Sequence, residues 1–135
     1  MKHQLAEFSH EFRNEDGVFL IPVPLSPGRL KFRGFNQSIL LAKYLEKNFS
    51  GMKVYDCMKR EDGSEQQAGK LRNERLKNLE NKIAMKEDSG ENLRAKNVIL
   101  IDDIATTGTT LNECAKVLKL AGADHVCGLV LARGK

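Results

Sequence analysis

Residues 98–101 read Val-Ile-Leu-Ile, four aliphatic side chains in succession with nothing polar between them. A strand sends alternate side chains to opposite faces, so such a run is stable only where both faces are covered. This excludes a half-solvated strand and predicts a buried strand over residues 97–101 of a parallel sheet. Leu111, Cys114, Ala115, Leu118 and Ala121 then recur at steps of three and four, the apolar stripe of a helix. Gly122 stands where that helix would stop. Residues 125–131, HVCGLVL, return as a second apolar strand. Strand, helix and strand in this order predict a right-handed crossover and an open α/β architecture, mainly parallel, with helices on both faces.

The N-terminal half is read the same way. Leu5, Phe8 and Phe12 predict a short amphipathic helix over residues 5–12, and Gly17 ends it. Val18, Phe19, Leu20 and Ile21 form a buried strand, stopped by Pro22 and Pro24. Residues 22–34 hold all three prolines and are read as a structured loop. Ile39, Ala42, Leu45 and Phe49 mark a helix over residues 36–48, with Gly51 beyond it. Residues 53–58 predict a short strand and 60–69 a polar segment with Gly63 and Gly69. Residues 71–79 predict a charged helix, 83–85 an edge strand and 87–92 a turn. At 135 residues the chain is expected to be one domain, 1–135.

Composition limits the class. A chain with 41% hydrophobic and 30% charged residues is that of an ordinary globular protein. No apolar run approaches the roughly 20 residues of a membrane span, and residues 1–7 lack the apolar core of a signal peptide. The cytoplasm is the expected compartment. Cys57, Cys114 and Cys127 are odd in number and form no CxxC pair, so they are read as small semi-buried hydrophobes. His3, His10 and His125 lack metal-ligand spacing and receive no role. A net charge of +4 and a pI near 9.0 favour anionic partners without establishing DNA contact.

The chemistry is expected after residue 101, because open α/β sheets bind ligands where strands pass into helices. That loop, residues 102–110, reads DDIATTGTT. Gly108 permits a positive φ and close approach to the backbone. Amides near residues 107–110 open a helix, where donors and dipole together attract a phosphate. Thr106, Thr107, Thr109 and Thr110 add hydroxyl donors. Asp102 and Asp103 suit two vicinal sugar hydroxyls, and are within reach of a Mg²⁺ held through water. The ordinary alternatives are a helix cap or a solvated acidic loop. An aliphatic strand ending in two aspartates also suits a P-loop ATPase, but no GxxxxGK[ST] occurs.

Residues 98–110, VILIDDIATTGTT, resemble the phosphoribosyl pyrophosphate motif of type I phosphoribosyltransferases. Residues 21–45, IPVPLSPGRLKFRGFNQSILLAKYL, resemble the PVP…RGFNQ…LA signature of the ComF competence-protein family, and residues 67–78, QAGKLRNERLKN, its Q…L…R…N segment. The resemblance implies that Asp102 and Asp103 bind the ribose. Ala105, Thr106, Thr107, Gly108, Thr109 and Thr110 would bind the 5′-phosphate. Mg²⁺ is the implied cofactor, held mainly through the ligand and within reach of Asp102 and Asp103. It also implies a part in natural transformation, with imported single-stranded DNA and a competence helicase as partners. The cysteine-rich zinc module with which fuller ComF proteins begin is not expected, for want of any CxxC. Thr106 stands where the hypoxanthine-guanine enzymes place an aspartate that assists the purine, which disfavours purine salvage of that type.

A leaving pyrophosphate needs fixed cations and donors. Arg33 and Gly34, beside Asn36 and Gln37 at a helix start, fit one side of that anion. Arg60 and Arg75 suit a lid over it, whereas Lys70 and Arg72 are read as a solvated surface. Two functions stay open at this point: phosphoribosyl transfer to an unidentified acceptor, and a non-catalytic protein that keeps the cradle for sensing or assembly. An unrelated receiver-type domain would leave RGFNQ and Gly108 without a purpose.

Overall fold

The structure, a computed structural model, describes residues 17–61, 83–105 and 108–133. The helix expected over residues 5–12, most of the polar segment at 60–69 and the charged helix at 71–79 lie outside the described residues, Lys70, Arg72 and Arg75 with them. Strands β1 (Val18–Pro22), β2 (Met52–Val54), β5 (Asn97–Ala105) and β6 (His125–Arg133) form one parallel sheet in the order β2-β1-β5-β6. Strands β3 (Met58–Arg60) and β4 (Ile83–Met85) pair antiparallel beside it. The helices are α1 (Pro27–Arg33), α2 (Gln37–Asn48) and α3 (Thr109–Leu120). Among the described residues, no helix is long and apolar enough to cross a membrane.

The aliphatic run does what its lack of alternation demands. Val98 and Leu100 face Cys114 and Leu118 of α3, together with Ile21, Val23 and Leu93. Ile99 and Ile101 face Ala42 and Leu45 of α2, together with Val18, Leu20 and Met52. Burying one large aliphatic side chain contributes about 1.5–3 kcal/mol, so both helices are held by the same strand. Pro22 closes β1 without loss. The Val18 amide bonds to Gly51 on the β2 side, so the even-numbered amides of β1 point to β2, which ends at Val54 before reaching Pro22.

Three expectations change. Residues 22–34 are not all loop, because α1 occupies Pro27–Arg33. Ser26 caps it with Pro27 behind, and Gly34 ends it at φ 82°, a left-handed conformation suited to glycine. No residue of α1 is buried, so no apolar stripe announces it. The strand expected over residues 53–58 divides between two sheets. After the Tyr55 amide bonds to Leu20, the chain leaves β1, and Cys57 accepts from Lys86 instead. Finally, β5 runs on to Ala105, so Asp102 and Asp103 belong to a strand and not to the loop. Its partner sets its length, with Asp102 opposite Val130 and Ile104 opposite Ala132.

Candidate functional site

The extension of β5 makes the site. β1 ends opposite Ile101, with the Val23 amide bonded to Ile101 O at 2.9 Å. Beyond that point β5 keeps β6 on one side and has lost β1 on the other. Odd-numbered residues of β5 turn their backbone groups toward β1, so the Asp103 amide meets the gap. Asp102 Oδ1 accepts from it at 2.9 Å, and Asp103 Oδ1 accepts from the Ile104 amide at 2.9 Å. The two carboxylates thereby satisfy backbone donors at the strand's open end.

A cleft of about 360 Å³ lies here, inside the range of about 300–1,000 Å³ usual for small-molecule sites. Asp102, Asp103 and Ile104 form one wall, Thr110 in the first turn of α3 another, and residues 23–25 with Arg29, Arg33, Ser38 and Arg60 the rest. Arg33 and Arg60 thus meet the acidic pair, brought by α1 and by the end of β3. Arg33 Nη1 stands 3.7 Å from Asp103 Oδ2, a loose ion pair whose guanidinium is half-exposed. Such a pair contributes under about 1 kcal/mol and yields readily to a competing anion.

The Asp102 carboxyl is pushed up from 3.8 to about 6, chiefly by burial and then by the hydrogen bonding and charge of the Asp103 side chain, against smaller opposing contributions from the Asp103 amide and Ser38. Gly108 caps α3 at φ 78°, and among the described residues no side chain caps that helix. The amides of its first turn have no acceptor four residues back within the helix. A Cβ at Gly108 would meet no atom within 4 Å, so the backbone there is open to approach. Of the other expected residues, Thr109 begins α3 and Ala105 ends β5. Gly34 has a structural task as the cap of α1, its amide bonding to Leu30 O at 2.7 Å. Thr106, Thr107 and Arg75 lie outside the described residues.

Two polar lining residues, Arg29 and Ser38, escaped the sequence reading. Arg29 stands four residues before Arg33 on α1 and shares its face, a signal visible only once that stretch is known to be helical. Ser38 is a lone buried hydroxyl at the start of α2. Cys57 and Cys114 are buried, and desolvation pushes both thiols up to about 12. For a metal, the described residues contain no group of three or more His, Cys, Asp or Glu able to hold one. Two carboxylates fit Mg²⁺, which keeps several waters and is completed by substrate phosphates.

The profile of the phosphoribosyl transferase domain matches residues 40–135. The chain belongs to that family. Within it the relatives are of ComF type. Competence protein F of Haemophilus influenzae is 32% identical over 128 residues, 95% of this chain and 55% of the relative. Competence protein ComFC of Streptococcus pneumoniae is 36% identical over 126 residues, 93% of this chain and 52% of the relative. ComFC of Bacillus subtilis is 38% identical over 115 residues, 84% of this chain and 44% of the relative. The phosphoribosyltransferase-like chain therefore spans about half the length of these curated relatives. A solved hypoxanthine phosphoribosyltransferase of Staphylococcus aureus superposes with a TM-score of 0.58 at 15% identity, covering 99% of this chain and 70% of that one, and shows the same fold.

Proposed function

We propose that the cleft binds phosphoribosyl pyrophosphate together with Mg²⁺, and that the domain serves a ComF-type role in DNA uptake. One observation carries this reading: β5 outruns β1, and the resulting gap gathers an acidic pair, a helix N-terminus and three arginines around one space of small-molecule size. Each part matches a part of the ligand. Asp102 and Asp103 accept from the ribose hydroxyls. The first turn of α3, with Gly108 and Thr110, receives the 5′-phosphate through its donors and dipole. Arg33 swings from Asp103 to the pyrophosphate, and Arg29 and Arg60 meet the same charge. Mg²⁺ held by the pyrophosphate and reached by Asp102 and Asp103 would supply neutralisation of the leaving group. The names of the competence relatives support the wider role, with single-stranded DNA and a competence helicase as proposed partners.

Thermal and urea unfolding with and without phosphoribosyl pyrophosphate and Mg²⁺ tests this. A ligand at 100 times its dissociation constant adds about 2.7 kcal/mol of stability. The double substitution Asp102→Ala, Asp103→Ala is expected to remove that gain. An unfolding curve unmoved by millimolar ligand would contradict the reading. Release of pyrophosphate in the presence of bases, nucleosides or oligonucleotides then separates transfer from binding alone.

A further inference from the structure

Arg29, Arg33 and Arg60 all line the cleft, yet among the described residues only Arg33 comes within ion-pair distance of the acidic pair. The contact is particular in its atoms. Asp103 Oδ1 accepts from the Ile104 amide at 2.9 Å, so Oδ2 is the oxygen that the backbone leaves uncommitted. Arg33 Nη1 stands 3.7 Å from that Oδ2. A sugar hydroxyl that seeks Asp103 therefore competes with Arg33. The guanidinium is free to leave, because α1 has no buried residue and the Arg33 side chain is 43% exposed. Arg29 lies four residues earlier on the same face of α1. Like charges at that spacing repel, and Asp103 answers only one of them.

We propose that Arg33 determines specificity: its pairing with Asp103 makes the cleft favour a sugar phosphate that also carries pyrophosphate over one that bears the 5′-phosphate alone. The inference rests on the ribose-phosphate reading of the cleft and deepens it. A neutral hydroxyl that takes Asp103 Oδ2 strips Arg33 of its partner and offers it nothing in return. A ligand with a pyrophosphate gives Arg33 and Arg29 one shared anion of higher charge, so the displaced guanidinium is paired again. Discrimination then comes from a charge left unpaired by the wrong ligand as well as from contact with the right one. Removing the guanidinium has opposite effects on the two ligands, whereas loss of a cation that only attracts phosphate weakens both.

The test is calorimetric titration of wild type, Arg33→Ala, Arg33→Gln and Arg29→Ala with ribose 5-phosphate in the absence of Mg²⁺ and with phosphoribosyl pyrophosphate in its presence. Urea unfolding of each variant confirms that it is folded. Both Arg33 variants should bind ribose 5-phosphate about two- to fivefold more tightly than wild type, the range set by removing an exposed ion pair. Both should lose about tenfold for phosphoribosyl pyrophosphate, the size of one hydrogen bond to a charged group. Arg29→Ala removes a cation that pairs with neither aspartate, so it should weaken phosphoribosyl pyrophosphate without any gain for ribose 5-phosphate. Unchanged or weaker binding of ribose 5-phosphate by either Arg33 variant, an equal gain in Arg29→Ala, or undiminished affinity of the Arg33 variants for phosphoribosyl pyrophosphate would overturn the role of Arg33 while leaving the cleft reading intact. Failure of wild type to bind phosphoribosyl pyrophosphate would refute the cleft reading, and the specificity role with it.

Discussion

Asp102→Asn should stabilise the protein above pH 7 and leave it unchanged near pH 3–4. The half-buried Asp102 carboxyl stands at about 6 in the fold, against 3.8 for the ordinary side chain. Below the lower value both folded and unfolded chains hold the proton, and ionisation costs nothing. As pH climbs from there, the unfolded chain ionises first while the folded one keeps its proton, so stability falls. Above about 6 the folded carboxylate is charged in a partly desolvated place and the penalty is complete. For a fully desolvated group the difference would be about 3 kcal/mol, at about 1.4 kcal/mol per pKa unit. Water reaches much of this side chain, and screening reduces it to about 1 kcal/mol. Asparagine has no charge to penalise, and its carbonyl still accepts from the Asp103 amide. Urea unfolding of both proteins at intervals from pH 3.5 to 8 measures the difference directly, with the other carboxylates common to both. Expected is a gap that opens between pH 4 and 6, reaching about 1 kcal/mol, or some 3–6 °C in melting temperature for a domain of this size. A gap independent of pH, or an asparagine variant less stable at pH 8, would refute the account of Asp102.

Gly108→Ala should cost about 1–2 kcal/mol of stability from its positive φ alone, since a Cβ there touches nothing. Gly108→Asn, better tolerated in that conformation, should recover much of the stability, as melting temperatures would show, without recovering phosphoribosyl pyrophosphate binding. Cys57 and Cys114, buried and with thiols pushed up to about 12, should resist iodoacetamide at pH 8 in the native protein and react once urea unfolds it, read by intact mass. Labelling of either at the unfolded rate in native buffer would contradict their burial.

What the sequence made legible was whatever had a period or a run. Val98–Ile101 could only be a doubly covered strand, and the stripes on α2 and α3 announced the two helices that cover it. The acidic pair and Gly108 were legible because few other uses suit that succession of residues. The misses share a cause. Helix α1 buries nothing, so hydrophobic periodicity is silent and only Ser26, Pro27 and Gly34 mark its ends. The continuation of β5 through Asp102 and Asp103 breaks every strand propensity; a distant partner imposes it, β6 being long enough to pair with them. The division of residues 53–58 is likewise tertiary, fixed by where β1 ends and β4 waits. Ser38 had no signal at all beyond its place in RGFNQS, since one serine at a helix start is commonplace.

That broken propensity is the strongest physical argument for a binding site at this corner. A strand extended only for stability would end with β1 or continue in residues that favour β structure. Here it continues with two adjacent carboxylates, one of them destabilised by burial and by its neighbour. The backbone amides they satisfy could be satisfied as well by water at an open strand end, so edge-capping does not justify the cost. The expense has a use where a polyhydroxylated ligand arrives with a compensating set of donors, and where Arg33, loosely paired with Asp103, is released to meet its anion. Strain of this kind gathers at functional sites because selection tolerates it there and removes it elsewhere. The same reasoning accounts for Asn36. By capping α2 and gripping Val23, whose amide bonds to Ile101, it fixes the opposite wall of the cleft, so the RGFNQ segment is tied to the strand that carries the acidic pair although 65 residues of chain lie between Asn36 and Asp102.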